Sequence, residues 1–252
     1  MSGHSKWASI KHKKAATDSK RGKVFTKLIK ILTVAARSGG GDINANPSLR
    51  LAVQKAKEAN MPQDNIERAI KKGTGELPGV SYETVNYEGY GPGGVAFLVE
   101  GVTDNKNRLT AEIRNIFSKG GGNLAGAGAV SWQFEKKGFF VINMTAVPED
   151  KLMNIVLDAG ADDLVSEGDA YEVKCEPQNY ENVKKSLEDN KITVETSELT
   201  MLPKSTVKVS NDQAKQILRL VESLEDNDDV QNVYANFDIP EDILNQEMQE
   251  NS

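Results

Sequence analysis

Apolar residues recur at helical spacing through the first 75 residues of the chain. One face of a helix predicted over residues 22–38 carries Val24, Leu28, Ile31, Leu32 and Ala35. Asn46 and Pro47 are the residue types that begin a helix, as an N-cap followed by a first helical position. Pro62 predicts the start of a third helix, and Gly73 is expected to end it. This segment is therefore predicted to form a three-helix unit.

Beyond these helices the pattern changes to that of β-strands. The segment 85–102 predicts a hairpin with a glycine-rich turn over 89–94. Asp104 or Asn105 is expected to cap the helix that follows. A further predicted strand carries the alternating apolar residues Val130, Trp132 and Phe134.

The next segment has the order strand, helix, strand, strand, helix, strand, which is the ferredoxin-like pattern. Its predicted strands are 138–144, 163–166, 170–175 and 192–199. A helix over 211–225 and a strand over 230–237 then supply the helix–strand pair that 79–134 lacks. We therefore expect an α+β protein in which the ferredoxin-like domain is inserted into another domain. The predicted parts are a basic helical domain with an N-terminal arm (1–78), a discontinuous α+β domain (79–135 plus 204–240), the inserted ferredoxin-like α+β domain (136–203) and an acidic tail (241–252).

Length and composition exclude several classes of protein. A chain of 252 residues is expected to form two or three domains, and no apolar run approaches the roughly 20 residues of a membrane span. The start of the chain lacks the apolar segment of a secretory signal. The single cysteine, Cys175, excludes an internal disulfide. With His4 and His12 as the only histidines, no zinc site is expected. We expect a cytoplasmic protein.

Charge is distributed very unevenly along the chain. The first 75 residues contain sixteen Lys and Arg against five Asp and Glu, a net charge of +11. The remaining residues contain fifteen against thirty-two, a net charge of −17, so the overall value of −6 hides the asymmetry. A segment this basic attracts a polyanion, and the acidic remainder repels one.

The basic segment therefore predicts contact with nucleic acid. Lysine outnumbers arginine there, and lysine acts as a point charge rather than as a bidentate reader of bases, so we expect mainly backbone contact with weak sequence specificity. From composition alone, the first twenty residues are a disordered arm or an arm that orders on an anionic surface. Trp7 then stacks on a base or packs into a groove of the protein. The candidate nucleic-acid-binding residues are Lys6, Trp7, Lys11, His12, Lys13, Lys14, Lys20, Arg21, Lys23, Lys27, Lys30, Arg37, Lys71, Lys72 and Arg108.

Other patterns favour structural roles. The glycine clusters lack the Gly-Lys-Ser/Thr of a P-loop, so tight turns are expected rather than phosphate cradles. Five aspartates are expected to be caps and turns rather than metal ligands: Asp162, Asp163, Asp226, Asp228 and Asp229. Arg108 and Arg114 either extend the anion-binding surface or pair with Glu112 and other acids. No nucleophile and base stand together in a recognisable pattern, so no catalytic residue, no metal and no cofactor is predicted.

Several short motifs carry a resemblance to a known family. Gly3-His4-Ser5-Lys6-Trp7 followed by residues 10–14 resembles the opening signature of the YebC/PmpR family of bacterial proteins, usually named transcriptional regulators. A eukaryotic relative is the mitochondrial translational activator of cytochrome oxidase subunit one. Further matches occur at residues 21–23, 60–62, 65–70, 87–90, 92–94, 103–108, 121–124, 236–237 and 239–240. The resemblance implies a helical domain and two α+β domains, no catalytic activity and no cofactor. It implies DNA binding for some members and, for others, a role at the ribosome in easing translation through proline runs.

These observations favour a non-enzymatic regulator of gene expression that contacts DNA through its basic N-terminal domain. The alternative is a ribosome-associated translation factor that binds ribosomal RNA or tRNA. A hypothesis from another class is an enzyme or ligand sensor that uses the ferredoxin-like domain as its pocket. The acidic domains are expected to offer surfaces to protein partners, no membrane contact is expected, and a monomer is slightly favoured.

Overall fold

The computed structural model describes the backbone of residues 18–239 and the side chains of residues 22–239. The chain divides into two units, each described by itself. The helix–sheet unit consists of residues 18–129 and Gln216–Val233, and the ferredoxin-like unit consists of Val130–Lys215 and residues 234–239. The three predicted domains subdivide the chain more finely, and their boundaries stay a prediction. Outside the described side chains lie Lys6, Trp7, Lys11, His12, Lys13, Lys14, Lys20, Arg21 and the tail 241–252.

The described residues have the predicted α+β fold. The helices are α1 (Asp18–Gly39), α2 (Pro47–Glu58), α3 (Gln63–Thr74), α4 (Lys106–Lys119), α5 (Glu149–Asp158), α6 (Tyr180–Asp189) and α7 (Asn211–Glu225). The strands are β1 (Glu83–Tyr90), β2 (Ala96–Thr103), β3 (Asn123–Ala125), β4 (Phe134–Asn143), β5 (Ala161–Glu167), β6 (Ala170–Cys175), β7 (Thr196–Pro203), β8 (Val207–Lys208), β9 (Val230–Ala235) and β10 (Phe237–Asp238).

The three predicted N-terminal helices pack around a small apolar core. Asn46 caps α2, since its side-chain oxygen accepts a hydrogen bond from the Leu49 N–H at 3.0 Å, and Pro47 occupies the first turn. Leu32, Leu49 and Ile66, one from each helix, are almost completely buried in the shared core. Helical spacing of apolar residues therefore identified the buried faces.

Gly73 does not end α3, which was the expectation from sequence. The helix continues to Thr74, and Gly75 provides the left-handed C-cap with φ 84°. A Cβ atom on Gly73 would lie 2.4 Å from the Thr33 carbonyl oxygen and 2.7 Å from the Ala36 Cβ atom. The missing side chain at Gly73 therefore allows α3 to approach the backbone of α1 closely.

Replacement of Gly73 by alanine is expected to destabilise the protein by about 1–3 kcal/mol, because α3 must move away from α1. Chemical denaturation of the full chain measures the change. Gly22→Ala is the matched control, since nothing lies within 4 Å of a Cβ there and alanine is the better helix former. A Gly73→Ala protein as stable as the Gly22→Ala protein would contradict the close approach.

The helix–sheet unit contains a four-stranded sheet with the order β3-β1-β2-β9. The predicted hairpin pairs β1 with β2 in antiparallel register from Glu83 opposite Thr103 to Tyr90 opposite Ala96. Its fourth strand, β9, follows β3 only after more than a hundred residues of intervening chain. The ferredoxin-like segment is thus inserted into the chain that builds this sheet, as predicted.

The ferredoxin-like unit contains an antiparallel sheet with the order β5-β6-β4-β7. Helices α5 and α6 bury Leu152 and Leu187 against Phe140 of the sheet. Strand β7 begins at Thr196, four residues later than the predicted start, because the chain turns after α6 through a left-handed residue, Lys191, with φ 56°. The connection order is the predicted ferredoxin-like one.

One predicted strand in this unit is wrong in part. Residues Ser131–Gln133 form a 3-10 turn, and the strand begins only at Phe134. Val130 and Phe134 are buried on either side of the turn, whereas Trp132 is 67% exposed. The turn breaks the two-residue period, so Trp132 does not share the buried face of its neighbours.

Candidate nucleic-acid interface

Three lysines of α1 bind an acidic loop formed by residues 225–229. Lys23 Nζ donates to Asp226 Oδ1 at 3.3 Å, and Lys27 Nζ donates to the Glu225 carbonyl oxygen at 2.6 Å. Lys30 Nζ donates to the Asp228 carbonyl oxygen at 2.7 Å and to Asp229 Oδ1 at 2.5 Å. The lysines are one turn apart along one face of the helix, so all three can reach the same short loop. We call this arrangement the lysine clasp.

The inner end of the clasp is a buried ionic network. Besides Lys30, Asp229 accepts hydrogen bonds from Arg108 Nη2 at 2.7 Å and Thr103 Oγ1 at 2.8 Å. The Asp229 and Lys30 side chains are only 7% and 9% exposed. At the outer end, Lys23 and Asp226 are 48% and 72% exposed. The inner pair therefore fixes α1 to the acidic loop, while the outer pair is a surface contact.

The network lowers the pKa of Asp229. Burial raises the pKa, but hydrogen bonds from Lys30, Arg108 and Thr103 to the ionised carboxylate outweigh it. A carboxyl group whose pKa is lower in the folded state stabilises the fold above its unfolded pKa of about 3.9. That stabilisation is lost as the pH falls through the folded pKa.

The difference in unfolding free energy between the wild-type protein and Asp229→Asn is accordingly expected to be full at pH 7 and to shrink below about pH 4. Denaturant titrations of both proteins across pH 3–7 measure it, and using the difference removes the effect of other carboxylates. A difference that stays constant down to pH 3 would contradict the lowered pKa.

The clasp changes the set of cations available to a ligand. Lys23, Lys27, Lys30 and Arg108 were all predicted as nucleic-acid contacts, and in the structure each contacts the acidic loop. Of the two alternatives for Arg108, pairing with acids is what is observed, since it also binds Asp104 at 2.7 Å. These four side chains are therefore engaged within the protein, and the candidate interface consists of the other cations.

The remaining described candidates lie on the surface. Lys71 and Lys72 are exposed in the last turn of α3, and Arg37 is exposed while donating a hydrogen bond to Ser81 Oγ. Four further exposed cations on α2 and α3 were absent from the predicted set, although they lie opposite the apolar stripes of their helices: Arg50, Lys55, Lys57 and Arg68. Their positions away from the apolar stripes could have identified these four cations from the sequence.

Other sequence features have structural explanations within the described residues. Within the glycine cluster at 120–122, Gly122 packs closely against the Tyr90 backbone. A Cβ atom on Gly122 would lie 2.4 Å from the Tyr90 carbonyl oxygen. Asp162 and Asp163 pair with Lys137 at 2.9 Å and Lys174 at 3.9 Å. In the part of the chain from 18 to 239, no helix combines the length and apolar character needed to cross a bilayer.

Comparisons with known proteins identify the family. A model described as the TACO1/YebC protein N-terminal domain matches residues 5–76, and one described as the TACO1/YebC second and third domain matches residues 82–237. The chain therefore belongs to the TACO1/YebC family, as the motifs predicted.

Relatives over the full length carry a regulatory name. A probable transcriptional regulatory protein from Syntrophobacter fumaroxidans is 60% identical over 245 residues, covering 97% of this chain and 98% of the relative. One from Geobacter sulfurreducens is 59% identical over 239 residues, covering 95% and 96%. The crystal structure of a conserved hypothetical protein from Aquifex aeolicus matches with a TM-score of 0.78 and 45% identity, covering 89% of this chain and 93% of that one.

Proposed function

We propose that this protein is a regulator of gene expression that binds the phosphate backbone of nucleic acid through its basic N-terminal region. The observation that carries the proposal is a set of exposed cations on α2 and α3 that form no ion pair with a carboxylate among the described residues. They are Arg50, Lys55, Lys57, Arg68, Lys71 and Lys72.

The spacing of these cations along α2 and α3 places several of them on the same helix face. Arg68, Lys71 and Lys72 are three and four residues apart on the outer face of α3, opposite buried Ile66 and Ala69. Arg50 and Lys57 are seven residues apart on α2, so they too share a face. Favourable interaction with helix dipoles explains lysines in last turns, but it does not explain the arginines in the first turn of α2 and the middle of α3.

The three N-terminal helices keep a net positive charge when the lysines of the clasp are left out of the count. Residues 22–75 contain ten Lys and Arg and four Asp and Glu, and the clasp engages three of the lysines. Seven cations are left against four acids. The arm before α1 adds Lys6, Lys11, Lys13 and Lys14 in sequence, and these stay predicted contacts. Binding of this kind releases counterions from the polyanion and is strongly salt-dependent.

The regulatory name of the relatives favours transcription, with DNA as the polyanion. Backbone contact suits folded RNA equally well, so ribosome-associated control of translation is the alternative. Neither role requires the protein to be an enzyme, and the absence of catalysis stays a prediction.

Crosslinking in living cells followed by sequencing of bound DNA and RNA tests the proposal. Enrichment of promoter DNA supports transcriptional control, and enrichment of ribosomal RNA or tRNA supports the translational alternative. The control is a variant with Arg68, Lys71 and Lys72 changed to glutamate. If the wild-type protein recovers no more nucleic acid than this variant, nucleic-acid binding through this region is overturned.

A further inference from the structure

The acidic loop 225–229 offers to α1 the same kind of group that a phosphate backbone offers. Four of its five residues are acidic, and the fifth is Asn227. The lysines of the clasp donate to carboxylate and carbonyl oxygens of the loop, and Lys23 donates to both kinds of oxygen on Asp226, each at 3.3 Å. A lysine ammonium group binds a phosphate oxygen through the same charge-assisted hydrogen bond. The loop therefore occupies lysines that a nucleic acid could also bind.

The outer contact of the clasp, between Lys23 and Asp226, is the one that a nucleic acid can break at little cost. The two side chains are 48% and 72% exposed, and exposed ion pairs contribute little to stability. The inner pair of Lys30 and Asp229 is buried, so its separation would leave an uncompensated charge. Lys27 donates to the last carbonyl oxygen of α7, a group without a partner inside the helix. Exchange of partners is therefore expected at Lys23 alone.

An open polar cavity borders the outer contact. Its volume is about 560 Å³, and both Lys23 and Asp226 line it. Five carboxylates and three cations are among its lining side chains. This excess of acid disfavours a phosphate group inside the cavity, because like charges repel. A nucleic acid is therefore expected to approach Lys23 from the outer surface of α1, with Asp226 opposing it.

The position of Lys23 along α1 favours such an approach. Lys20 and Arg21, two of the predicted contacts, precede it in the sequence of the same helix. Residues three apart on a helix are neighbours on its surface. A phosphate backbone bound at Lys20 would therefore have further phosphates within reach of Lys23.

We propose that Asp226 competes with nucleic acid for Lys23, so that the acidic loop limits binding by the basic region. Binding transfers the Lys23 ammonium group from the Asp226 carboxylate to a phosphate, while the buried Lys30–Asp229 pair stays in place. The inference rests on the proposed function, since it concerns the same basic region and the same ligand. It adds a competitor within the protein that lowers the affinity for any phosphate backbone.

Removal of the competing carboxylate tests the inference. In the full chain, Asp226→Asn is expected to raise the affinity for a labelled DNA duplex and a labelled RNA hairpin about fivefold at 0.15 M salt, roughly the electrostatic contribution of one phosphate contact. Fluorescence anisotropy measures both affinities.

The same loop provides the matched control. Asp228→Asn removes the same charge from an exposed position, but the Asp228 carboxylate forms no ion pair among the described residues. Its replacement acts only through the longer-range field that salt screens, so the affinity is expected to rise less than about twofold.

Substitution of Lys23 separates transfer from simple repulsion. If Lys23 moves to a phosphate, Lys23→Gln in the Asp226→Asn background is expected to cancel the gain in affinity. In the wild-type background the same substitution removes the phosphate contact together with the pair that opposes it, so a smaller loss is expected. A gain that persists without Lys23 would show that Asp226 only repels the nucleic acid, and the transfer would be wrong.

Acetylation of the unsubstituted protein provides an independent measurement. Lys23 is expected to react with acetic anhydride in the free protein and to be protected by either nucleic acid. Lys185, which is exposed on α6, is expected to react equally in both states. Mass spectrometry of the digested protein measures the two yields. Because no residue of the clasp is changed, this measurement decides even if a variant does not fold.

Three further results would overturn the inference: no gain in affinity in Asp226→Asn, an equal gain in Asp228→Asn, or no protection of Lys23 from acetylation. If one of them occurs while reversal of Arg68, Lys71 and Lys72 still abolishes binding, competition by Asp226 is wrong and the proposed function stands. If neither nucleic acid binds the wild-type protein or the Asp226→Asn protein, both proposals fail.

Discussion

Replacement of Asp229 by asparagine is expected to destabilise the helix–sheet unit by about 3–5 kcal/mol, the range found when one partner of a buried ion pair is removed. The carboxylate accepts hydrogen bonds from Lys30, Arg108 and Thr103, and an amide oxygen cannot replace both of its oxygens as acceptors. Lys30 would then remain buried with its positive charge uncompensated. Chemical denaturation at pH 7 measures the loss.

The acidic loop provides its own control. Asp226→Asn removes the same functional group from the same loop, but the partner Lys23 and Asp226 itself are solvent-exposed. Exposed pairs contribute about 0–1 kcal/mol, so this variant is expected to be close to wild type. A double-mutant cycle with Lys30→Met would isolate the inner pair. Equal losses of stability in Asp229→Asn and Asp226→Asn would show that the buried Lys30–Asp229 pair contributes no more to stability than the exposed Lys23–Asp226 pair.

Reversal of Arg68, Lys71 and Lys72 to glutamate is expected to weaken nucleic-acid binding at least about 100-fold at 0.15 M salt. These exposed side chains make no described ion pair, so the substitutions remove phosphate contacts and add repulsion without leaving an unpaired acid in the protein. Fluorescence anisotropy with a labelled duplex and a labelled single strand measures the affinity.

A matched variant separates local contact from overall charge. Lys119, Lys151 and Lys185 are also exposed, and their reversal to glutamate changes the net charge of the protein by the same amount. This control is expected to weaken binding only a few-fold, through long-range repulsion that salt screens. Equal losses in both variants would indicate that net charge, rather than the α3 surface, determines affinity.

Local chemistry made much of the fold predictable. Asn46 was identified as a cap, and Asn105 as one of two candidates with Asp104, because these residues precede apolar helical patterns. Both asparagines accept the expected hydrogen bond from the backbone three residues later. Helix α7 has the predicted bounds, and the Ser210 N–H donates the expected capping-box hydrogen bond to Gln213 Oε1 at 3.1 Å. These features depend on residues close together in sequence.

The lysine clasp could not be predicted in the same way. Lys23, Lys27 and Lys30 are spaced like a solvated helical face, and their partners lie about 200 residues further along the chain. The sequence shows the sign and the spacing of charged residues, but it does not show which surface of the folded protein will cover them. The exposure of Trp132 was missed for a related reason, since a single 3-10 turn cancels the alternation that indicates a strand.

The dependence of affinity on salt concentration is the most direct measurement of phosphate contact by the exposed helical cations. For the wild-type protein and duplex DNA, the logarithm of the binding constant is expected to fall linearly with the logarithm of salt concentration. Lys71→Gln and Lys72→Gln are each expected to reduce the slope by about 0.9. An affinity independent of salt, or a slope that neither substitution changes, would contradict the account.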